Sequence, residues 1–367
     1  MRVRLAACVV ATLVTCVSVA SADPMDPALE RLVLDPSCHK SAAGDWNDAA
    51  PPASSRACKP DHVAFKRLMN QYGFALAPNA MHSARTTGYG GFHLSIEADY
   101  TKISSDAEYW KRGTQGPVNP SDNSSSTENA TPQDLLQLYS LKFRKSFGFG
   151  LELTGTVGFM PKTSILSGGA DVRVSLLEGF RTGLGGVLPD IAVGGGVRTI
   201  TGTPQFQMTV VGLDVQISKP LPIQDSSILT PYVGYQYLWI FADSGLIDLT
   251  PSTDAIRYCN YKGQDVPGNT DPNAATGSGN EPNDGQPVCN GGSPLDFNNN
   301  AVFQNVRLER HRLIFGLNYR YEMVMLGGQF LIDAVPPSDA QTDGVDEAAL
   351  MDEDRQYTLS FELGAMF

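Results

Sequence analysis

Residues 357–367 read Tyr-Thr-Leu-Ser-Phe-Glu-Leu-Gly-Ala-Met-Phe. Apolar and polar side chains alternate through most of this stretch, which is the period of a β-strand with one face in an apolar environment. The apolar face carries Tyr357, Leu359, Phe361, Leu363, Ala365 and Phe367. Few soluble edge strands would end on an exposed aromatic residue, so the stretch predicts a strand whose apolar face meets lipid.

This stretch resembles the C-terminal β-signal of Gram-negative outer-membrane proteins, which is read by the barrel-assembly machinery. The resemblance implies an all-β protein of the outer membrane, a transmembrane antiparallel up-and-down barrel that contacts outer-membrane lipid and lipopolysaccharide. The resemblance is close for the last strand, whereas the other strands share only the general alternation of apolar and polar residues. It therefore identifies no subfamily. The residues it marks as an assembly signal are Tyr357, Leu359, Phe361, Leu363 and Phe367.

The first 22 residues have the pattern of a signal peptide. Met1-Arg2-Val3-Arg4 is basic, residues 5–20 are apolar, and Ala20-Ser21-Ala22 matches the small-x-small cleavage site. An alternative is lipoprotein processing at Cys16, although Thr15 is a poor residue before such a cysteine. We expect cleavage after Ala22, which exports the chain.

Period-two segments recur upstream and predict about ten strands within a barrel domain, residues 88–367. The long polar connections follow strands 1, 7 and 9, at residues 103–134, 243–304 and 334–354. Long external loops after odd-numbered strands are typical of outer-membrane barrels. Twelve strands remain an alternative if the N-terminal segment supplies a pair. In strand 6 the apolar positions change from even to odd, which predicts a bulge near Gly212.

Residues 23–87 do not alternate and form a separate N-terminal segment. Val63, Phe65, Leu68, Met69 and Tyr72 have helical spacing. The segment is predicted to be periplasmic, and it could cap the barrel, plug its lumen or pack under strand 1. A short helix that covers the barrel mouth is the favoured interpretation.

Four cysteines follow the signal peptide: Cys38, Cys58, Cys259 and Cys289. Four cysteines allow three pairings. If the N-terminal segment is periplasmic, only Cys38–Cys58 with Cys259–Cys289 avoids bonds across the membrane. We therefore expect these two disulfides.

Charged side chains on the polar faces of the strands are predicted to point into the lumen. They are Glu97, Asp99, Lys142, Arg144, Glu152, Asp171, Arg173, Arg198, Asp214, Arg310, Arg312, Arg320 and Glu362. Six acids against seven bases favour pairing over an ion-selective ring, because an unpaired charge in a confined interior is costly. Pairs between Arg310 or Arg312 and Glu97 or Asp99 would cross the lumen.

The three long loops carry 20 Asp and Glu residues against Lys111, Arg112, Arg257 and Lys262. This charge could hold divalent cations against lipopolysaccharide, repel anionic solutes, or simply keep the loops solvated. The net charge of −12 argues against a nucleic-acid partner. No metal or nucleotide motif is present, so no cofactor is expected.

Three functions are compatible with these features. The first is a narrow channel or gated passage for a small solute, which the sequence does not identify. The second is a structural or surface-interaction barrel with a filled lumen that acts through its acidic loops. The third is a lipid-modifying enzyme, since His93 and Ser95 are two residues apart as in outer-membrane lipid A deacylases. The alternation turns that pair toward the lumen instead of the lipid, so no catalytic residue is assigned.

Overall fold

The computed structural model describes residues 23–35, 58–79, 81–117, 128–179, 188–224, 226–249, 259–261, 287–289, 300–335, 338–339 and 355–367. Ten long strands form the barrel: β1 Phe92–Lys102, β2 Leu135–Ser146, β3 Leu151–Phe159, β4 Leu166–Leu177, β5 Asp190–Thr201, β6 Phe206–Ser218, β7 Ser227–Ser244, β8 Val306–Tyr321, β9 Val324–Asp333 and β10 Tyr357–Met366.

Two α-helices accompany the strands, α1 at His62–Leu76 and α2 at Glu108–Arg112. Single 3₁₀ turns occur at Leu29–Arg31 and Gly148–Gly150. Short strands lie at Leu221–Gln224, Ile247–Asp248, Cys259–Tyr261, Pro287–Cys289, Asn300–Ala301 and Ser338–Asp339. Among the described residues, no helix combines the length and the apolar character needed to cross a bilayer.

Each barrel strand pairs antiparallel with its neighbour in sequence, and β10 pairs with β1 to close the barrel. The ladder continues to Phe367, whose backbone N–H donates to the carbonyl oxygen of Phe92 at 2.7 Å. The prediction of about ten strands is therefore confirmed. Within the described residues the N-terminal segment adds only isolated bridges, Pro27 to Thr114 and Val33 to Pro60, so it supplies no further pair of barrel strands.

The two ends of the barrel differ in the length of their connections. At one end, the turn end, the connections are residues 147–150, 178–189, 219–226 and 322–323. At the other end, the loop end, residues 103–134, 245–305 and 334–356 form long connections, together with two short ones. Outer-membrane barrels turn their short connections to the periplasm and their long loops to the exterior. By this rule, the loop end is predicted to face the cell exterior.

Side chains alternate between the lipid face and the interior along every strand. On β10, Phe361 and Leu363 are exposed on the outer wall, while Ser360 and Glu362 are buried inside. β6 alternates without interruption, and its pairing with β5 and β7 shows no register shift at Gly212. The bulge predicted at Gly212 is therefore wrong, and Phe206, Met208 and Val210 point into the barrel.

Candidate functional site

The barrel interior is filled by α1 and by the chain that follows it. The helix contacts β1, β2, β6, β7 and β8, which lie on different sides of the barrel. An added Cβ at Gly73 would lie 2.5 Å from the Cγ2 atom of Ile240, so only glycine allows the helix this close to the wall. We call residues 62–87, apart from residue 80, the plug.

The chain enters the lumen from the loop end. The backbone N–H of Met25 donates to the carbonyl oxygen of Lys162 at 3.0 Å, and that of Leu29 donates to the side-chain oxygen of Gln205 at 2.7 Å. Both acceptors lie in short connections of the loop end. From Leu76 the chain descends toward the turn end, where β1 begins. Residues 23–35 therefore lie at the loop end, on the same side as the predicted external loops, and a periplasmic position does not agree with that prediction.

The half of the lumen nearest the loop end is apolar. Phe65 stacks on Phe303 with ring centroids 4.8 Å apart, and Tyr72 packs on Trp110 at 5.0 Å. Trp110 is 0% exposed, and its indole N–H donates to Gln71 at 2.7 Å. The wall contributes the inward apolar side chains of the strands, namely Leu136, Leu138, Phe206, Met208, Val210, Leu238, Ile240, Ala242, Val306 and Leu308. Together they form one continuous core.

Below this core, two arginines of β8 hold the end of α1. Arg310 is fully buried and forms an ion pair with Asp333, which lies at the end of β9. Its guanidinium also donates to the side-chain oxygen of Asn70 at 3.1 Å and lies 4.4 Å from the centre of the Phe74 ring. The carboxylate of Asp333 also accepts from the backbone N–H of Gln356 at 3.0 Å. One arginine thus connects the helix, the wall and the last loop-end connection.

Arg312 binds the plug through backbone carbonyls. Its guanidinium donates to the carbonyl oxygens of Phe74 at 3.2 Å and Pro78 at 2.8 Å, and to the side-chain oxygen of Gln236. Neither Arg310 nor Arg312 hydrogen-bonds with Glu97 or Asp99. The pairing expected across the lumen is wrong for these residues, because the plug occupies the space that such pairs would cross.

Glu97 and Asp99 instead face the plug at Asn79. The side-chain amide of Asn79 donates to Glu97 at 2.9 Å and to Asp99 at 2.8 Å. Its backbone carbonyl accepts from the ammonium group of Lys142 at 2.6 Å, and Lys142 also pairs with Glu97. A single uncharged residue of the plug is therefore bound by charged groups from β1 and β2.

Toward the turn end the polar contacts are less complete. Arg173 pairs with Asp214 at 2.9 Å and Arg198 with Asp171 at 3.1 Å, each between nearby strands. Arg144 is buried, yet its nearest carboxylate oxygens, on Glu152 and Glu362, are 3.5 and 3.7 Å away. These separations exceed hydrogen-bond length. Several buried polar atoms here lack a hydrogen-bond partner in the described structure: Arg144 Nε, Glu152 Oε1, both oxygens of Glu362 and both ring nitrogens of His93.

The turn end opens into a cavity of about 540 Å³, which we call the vestibule. Arg85, Arg144, Arg320, Glu178 and Glu322 are among its lining residues. Of the predicted lumen charges, Arg320 is exposed there, and its guanidinium donates to the carbonyl oxygen of Glu322 at 3.0 Å. A second void of about 20 Å³, room for about one water molecule, lies deeper between plug and wall and shares His82 and Arg144 with the vestibule.

The cysteines lie differently from the expected arrangement. Cys58 is buried in the core near the loop end and is disulfide-bonded, but Cys38 lies outside the described residues. Cys259 stands directly opposite Cys289 in a two-stranded antiparallel ladder. Opposed residues in such a ladder have Cα atoms about 4.5 to 5.5 Å apart, within the range of a disulfide. Cys58 lies at the same end of the barrel as the long loops, so the expected separation of the two cysteine pairs by the membrane does not hold. Both pairings stay predictions.

The structure shows no accessible position for the His93–Ser95 pair or for a metal ion among the described residues. His93 and Ser95 are 0% and 1% exposed inside the barrel and are not among the residues that line the vestibule. In the described part of the chain, no group of three or more His, Cys, Asp or Glu side chains could hold a metal ion. The signal peptide, residues 1–22, lies outside the described residues.

Sequence reasoning missed the uncharged members of this interior. Asn70, Asn79, Gln236, Gln329 and Gln356 all take part in the buried polar contacts. The sequence did contain a signal that the lumen is filled. β6 and β7 carry runs of inward apolar residues, which an open aqueous lumen would not contain.

No family model matches this sequence, and no curated protein matches it. Among solved structures, Ail, the attachment invasion locus protein of Yersinia pestis, is 10% identical over 76% of this chain and 100% of Ail, with a TM-score of 0.23. Neisserial surface protein A is 11% identical over 76% and 99%, with a TM-score of 0.26. The KdgM porin is 8% identical over 74% and 99%, with a TM-score of 0.24. The chain folds as a closed antiparallel barrel of ten strands with an apolar outer wall, the architecture of outer-membrane barrel proteins.

Proposed function

We propose that this protein is a closed outer-membrane barrel that acts at the cell surface, with its own N-terminal segment as a fixed plug. The observation that carries the proposal is the position of α1. It is packed on the wall at the loop end and bound by Arg310 and Arg312 lower down. The barrel thereby presents residues 23–35 beside the long acidic loops.

Apolar burial opposes release of the plug from the lumen. Five side chains of α1 are 0% exposed: Phe65, Leu68, Met69, Tyr72 and Phe74. Exposing each to water costs roughly 1.5 to 3 kcal/mol. The conformational entropy that the chain would regain on release offsets part of this cost.

The cell-surface end has a strongly negative composition. The three long loops have 20 acidic residues and four basic ones, which leaves about −16 before the contribution of residues 23–35. Such a surface attracts basic partners or divalent cations and repels anions. A function in surface interaction uses this charge, whereas a closed lumen does not need it.

Two measurements test the proposal. An epitope inserted between Ala22 and Asp23 should be labelled by antibody on intact cells, because residues 23–35 lie at the loop end. Purified wild-type protein should show no stable conductance in planar bilayers. An epitope labelled only after permeabilisation, or a wild type with porin-like conductance, contradicts the proposal.

A gated passage for a small solute is the second candidate, and the vestibule favours it. His82 and Arg144 line both the vestibule and the deeper void, so two polar spaces follow one another from the turn end into the lumen. The backbone N–H of Ala84 in the plug donates to the hydroxyl of Ser218 in β6 at 3.1 Å. Cysteines at these two positions (A84C with S218C) should lock the plug to the wall. Solute uptake lost on oxidation and restored by reduction would support gating over the surface function.

A further inference from the structure

The vestibule at the turn end has the size of a ligand site. Its volume of about 540 Å³ lies within the range of about 300 to 1,000 Å³ that is typical of small-molecule sites. The turn end is predicted to face the periplasm, from which a ligand would enter. Because residues 23–35 lie at the opposite end of the barrel, a ligand in the vestibule is independent of the proposed surface function.

Arg144 presents an unused guanidinium group to this cavity. The residue lies on β2, is 2% exposed and lines the vestibule. Within the described part of the chain its guanidinium donates no hydrogen bond, since the carboxylate oxygens of Glu152 and Glu362 are 3.5 and 3.7 Å away. Neither glutamate is among the residues that line the vestibule. A guanidinium offers N–H donors in a planar fork that matches a carboxylate, so Arg144 can bind a carboxylate that enters the cavity.

A carboxylate without a partner lies on the facing wall. Glu322 is in the short connection between β8 and β9, is exposed and lines the vestibule. Its side-chain carboxylate makes no hydrogen bond or ion pair with any described residue, whereas its backbone carbonyl oxygen accepts from Arg320. β2 and β8 are four strands apart in the ring of ten. Arg144 and Glu322 therefore approach the cavity from nearly opposite walls.

The other charged side chains that line the vestibule have partners or face water. Both carboxylate oxygens of Glu178 accept hydrogen bonds from the backbone N–H and hydroxyl of Thr86, at 2.9 to 3.1 Å. Arg320 is exposed and uses its Nε–H on the carbonyl oxygen of Glu322. Arg85 has an interaction partner of its own. A ligand therefore has most to gain by pairing with Arg144 and Glu322.

The charge around the vestibule favours a ligand that carries both signs. Three arginines are opposed by two glutamates in the lining and by two more behind Arg144, a net formal charge of −1: Arg85, Arg144 and Arg320 against Glu178, Glu322, Glu152 and Glu362. A simple anion would add to this negative charge, and a simple cation would leave Arg144 without a carboxylate. A zwitterion supplies a carboxylate for Arg144 and an ammonium group for Glu322 while adding no net charge.

We propose that the vestibule binds a short peptide, with its C-terminal carboxylate at Arg144 and its N-terminal ammonium group at Glu322. The two charges of a single amino acid are attached to one Cα atom and cannot reach facing walls. A tripeptide spans about 10 Å when extended. Met325 on β9 and Met366 on β10 line the wall between the two poles, so the middle of the peptide meets apolar side chains.

Isothermal titration calorimetry of the purified protein in non-ionic detergent tests the assignment with three peptides: trialanine, its C-terminal amide and its N-acetyl derivative. The wild type should bind trialanine at one site. The amide should bind about tenfold more weakly, a change of 1.4 kcal/mol, because it leaves buried Arg144 without a carboxylate. The N-acetyl peptide should bind about threefold more weakly, as expected for loss of an exposed ion pair.

Two variants assign the poles of the peptide. R144Q should abolish the preference for trialanine over its amide, and E322Q should abolish the preference for trialanine over the N-acetyl peptide. Each variant and the matching cap remove the same contact, so their effects should not add. R307Q and E108Q are the controls, since both residues lie at the loop end, and both variants should keep both preferences. E322Q keeps the test valid if R144Q does not fold, because Glu322 is exposed.

Several outcomes overturn the proposal. Absence of saturable trialanine binding to the wild type would show that the vestibule takes no peptide. An amide that binds the wild type as well as the free acid would show that Arg144 pairs with no ligand carboxylate. A preference for the free acid that persists in R144Q, or for the free amine that persists in E322Q, would place the peptide elsewhere on the protein. None of these results bears on the plug or on the surface function.

Discussion

The two halves of the lumen are filled by different kinds of side chain. The half near the loop end is a dry core in which Phe65 and Trp110 pack against apolar wall residues. The half near the turn end contains charged residues, a void of about 20 Å³ and the open vestibule. There, Arg144 and Glu362 are both buried without close hydrogen bonds between them.

The two halves of the lumen therefore hold the plug in different ways. Apolar packing resists water and holds the helix by its burial, whereas polar contacts at Arg310, Arg312 and Asn79 fix its position along and around the axis. Buried polar groups contribute little net stability but penalise every arrangement that leaves them unpaired. The apolar half should therefore close the barrel, and the polar half should set the alignment of the plug.

The largest effect is expected from R310A combined with R312A. The double variant leaves Asp333 buried without its ion pair and the carbonyl oxygen of Phe74 without its arginine donor, while the carbonyl oxygen of Pro78 keeps only the donation from Gln236. Removing one partner of a buried pair costs roughly 3 to 5 kcal/mol, so the two changes together should destabilise the barrel by about 5 kcal/mol or more. Urea unfolding in detergent micelles measures the loss.

The control for the double variant is R320A, since Arg320 is exposed at the vestibule. Its effect should stay within about 0.5 kcal/mol, as for most surface substitutions. Planar-bilayer recordings of the double variant should still show no stable conductance, because the apolar half is intact. A double variant with wild-type stability would show that the arginines do not hold the plug.

F65A probes the apolar half alone. Phe65 is 0% exposed and stacks on Phe303, so the substitution leaves a cavity in the core. Phe-to-Ala changes in cores cost about 3 to 5 kcal/mol. The matched control is V157A on the lipid face, where lipid replaces the lost contact. The expected readout is a lower unfolding midpoint for F65A than for V157A; equal midpoints would mean that the plug is not packed as a core.

Most of the wall was predictable from the sequence, because period-two alternation depends only on which side of the wall each residue faces. β10 shows this well, since its alternation continues without a break to Phe367. The location of the N-terminal segment was not predictable in the same way. Its helical spacing identifies an amphipathic helix, but it does not show that the barrel also buries polar positions such as Lys66, Asn70 and Gln71.

The parity change in β6 is the sequence signal of a filled lumen. A bulge at Gly212 would turn Phe206, Met208 and Val210 outward, as a barrel with a polar interior requires. They face inward onto the plug, and Leu238 and Ile240 of β7 do the same. Charge-based reasoning also missed Asp333, since a charge at a strand end resembles a loop residue.

A smaller effect is expected from H82A in the polar half. His82 lines both the vestibule and the deeper void, so its removal should join the two spaces. Its ring lies 3.5 Å from Glu152, too far for a strong hydrogen bond. Stability should fall by about 1 kcal/mol, and bilayers should still record no conductance because the apolar half is intact. Conductance through the H82A variant would show that the polar half, and not the apolar half, closes the barrel.

The smallest effect concerns Glu30, which lies at the loop end above the apolar half. Burial raises the pKa of this carboxyl above its ordinary value of 4.5, despite hydrogen bonds from Gln205 and Gln115 and the charge of Arg31. A raised pKa in the folded state means that folding favours the protonated acid. Its contribution to stability is therefore present below pH 4.5 and is lost as the pH rises through the folded-state pKa.

The E30Q variant keeps the shape of the side chain and removes its charge. Its free energy of unfolding should match that of the wild type at low pH and exceed it at neutral pH by under about 1 kcal/mol. Unfolding midpoints across this pH range measure the difference. If E30Q is instead less stable than the wild type at neutral pH, folding favours the ionised carboxylate, so its pKa is not raised, and the core at the loop end admits more water than its packing indicates.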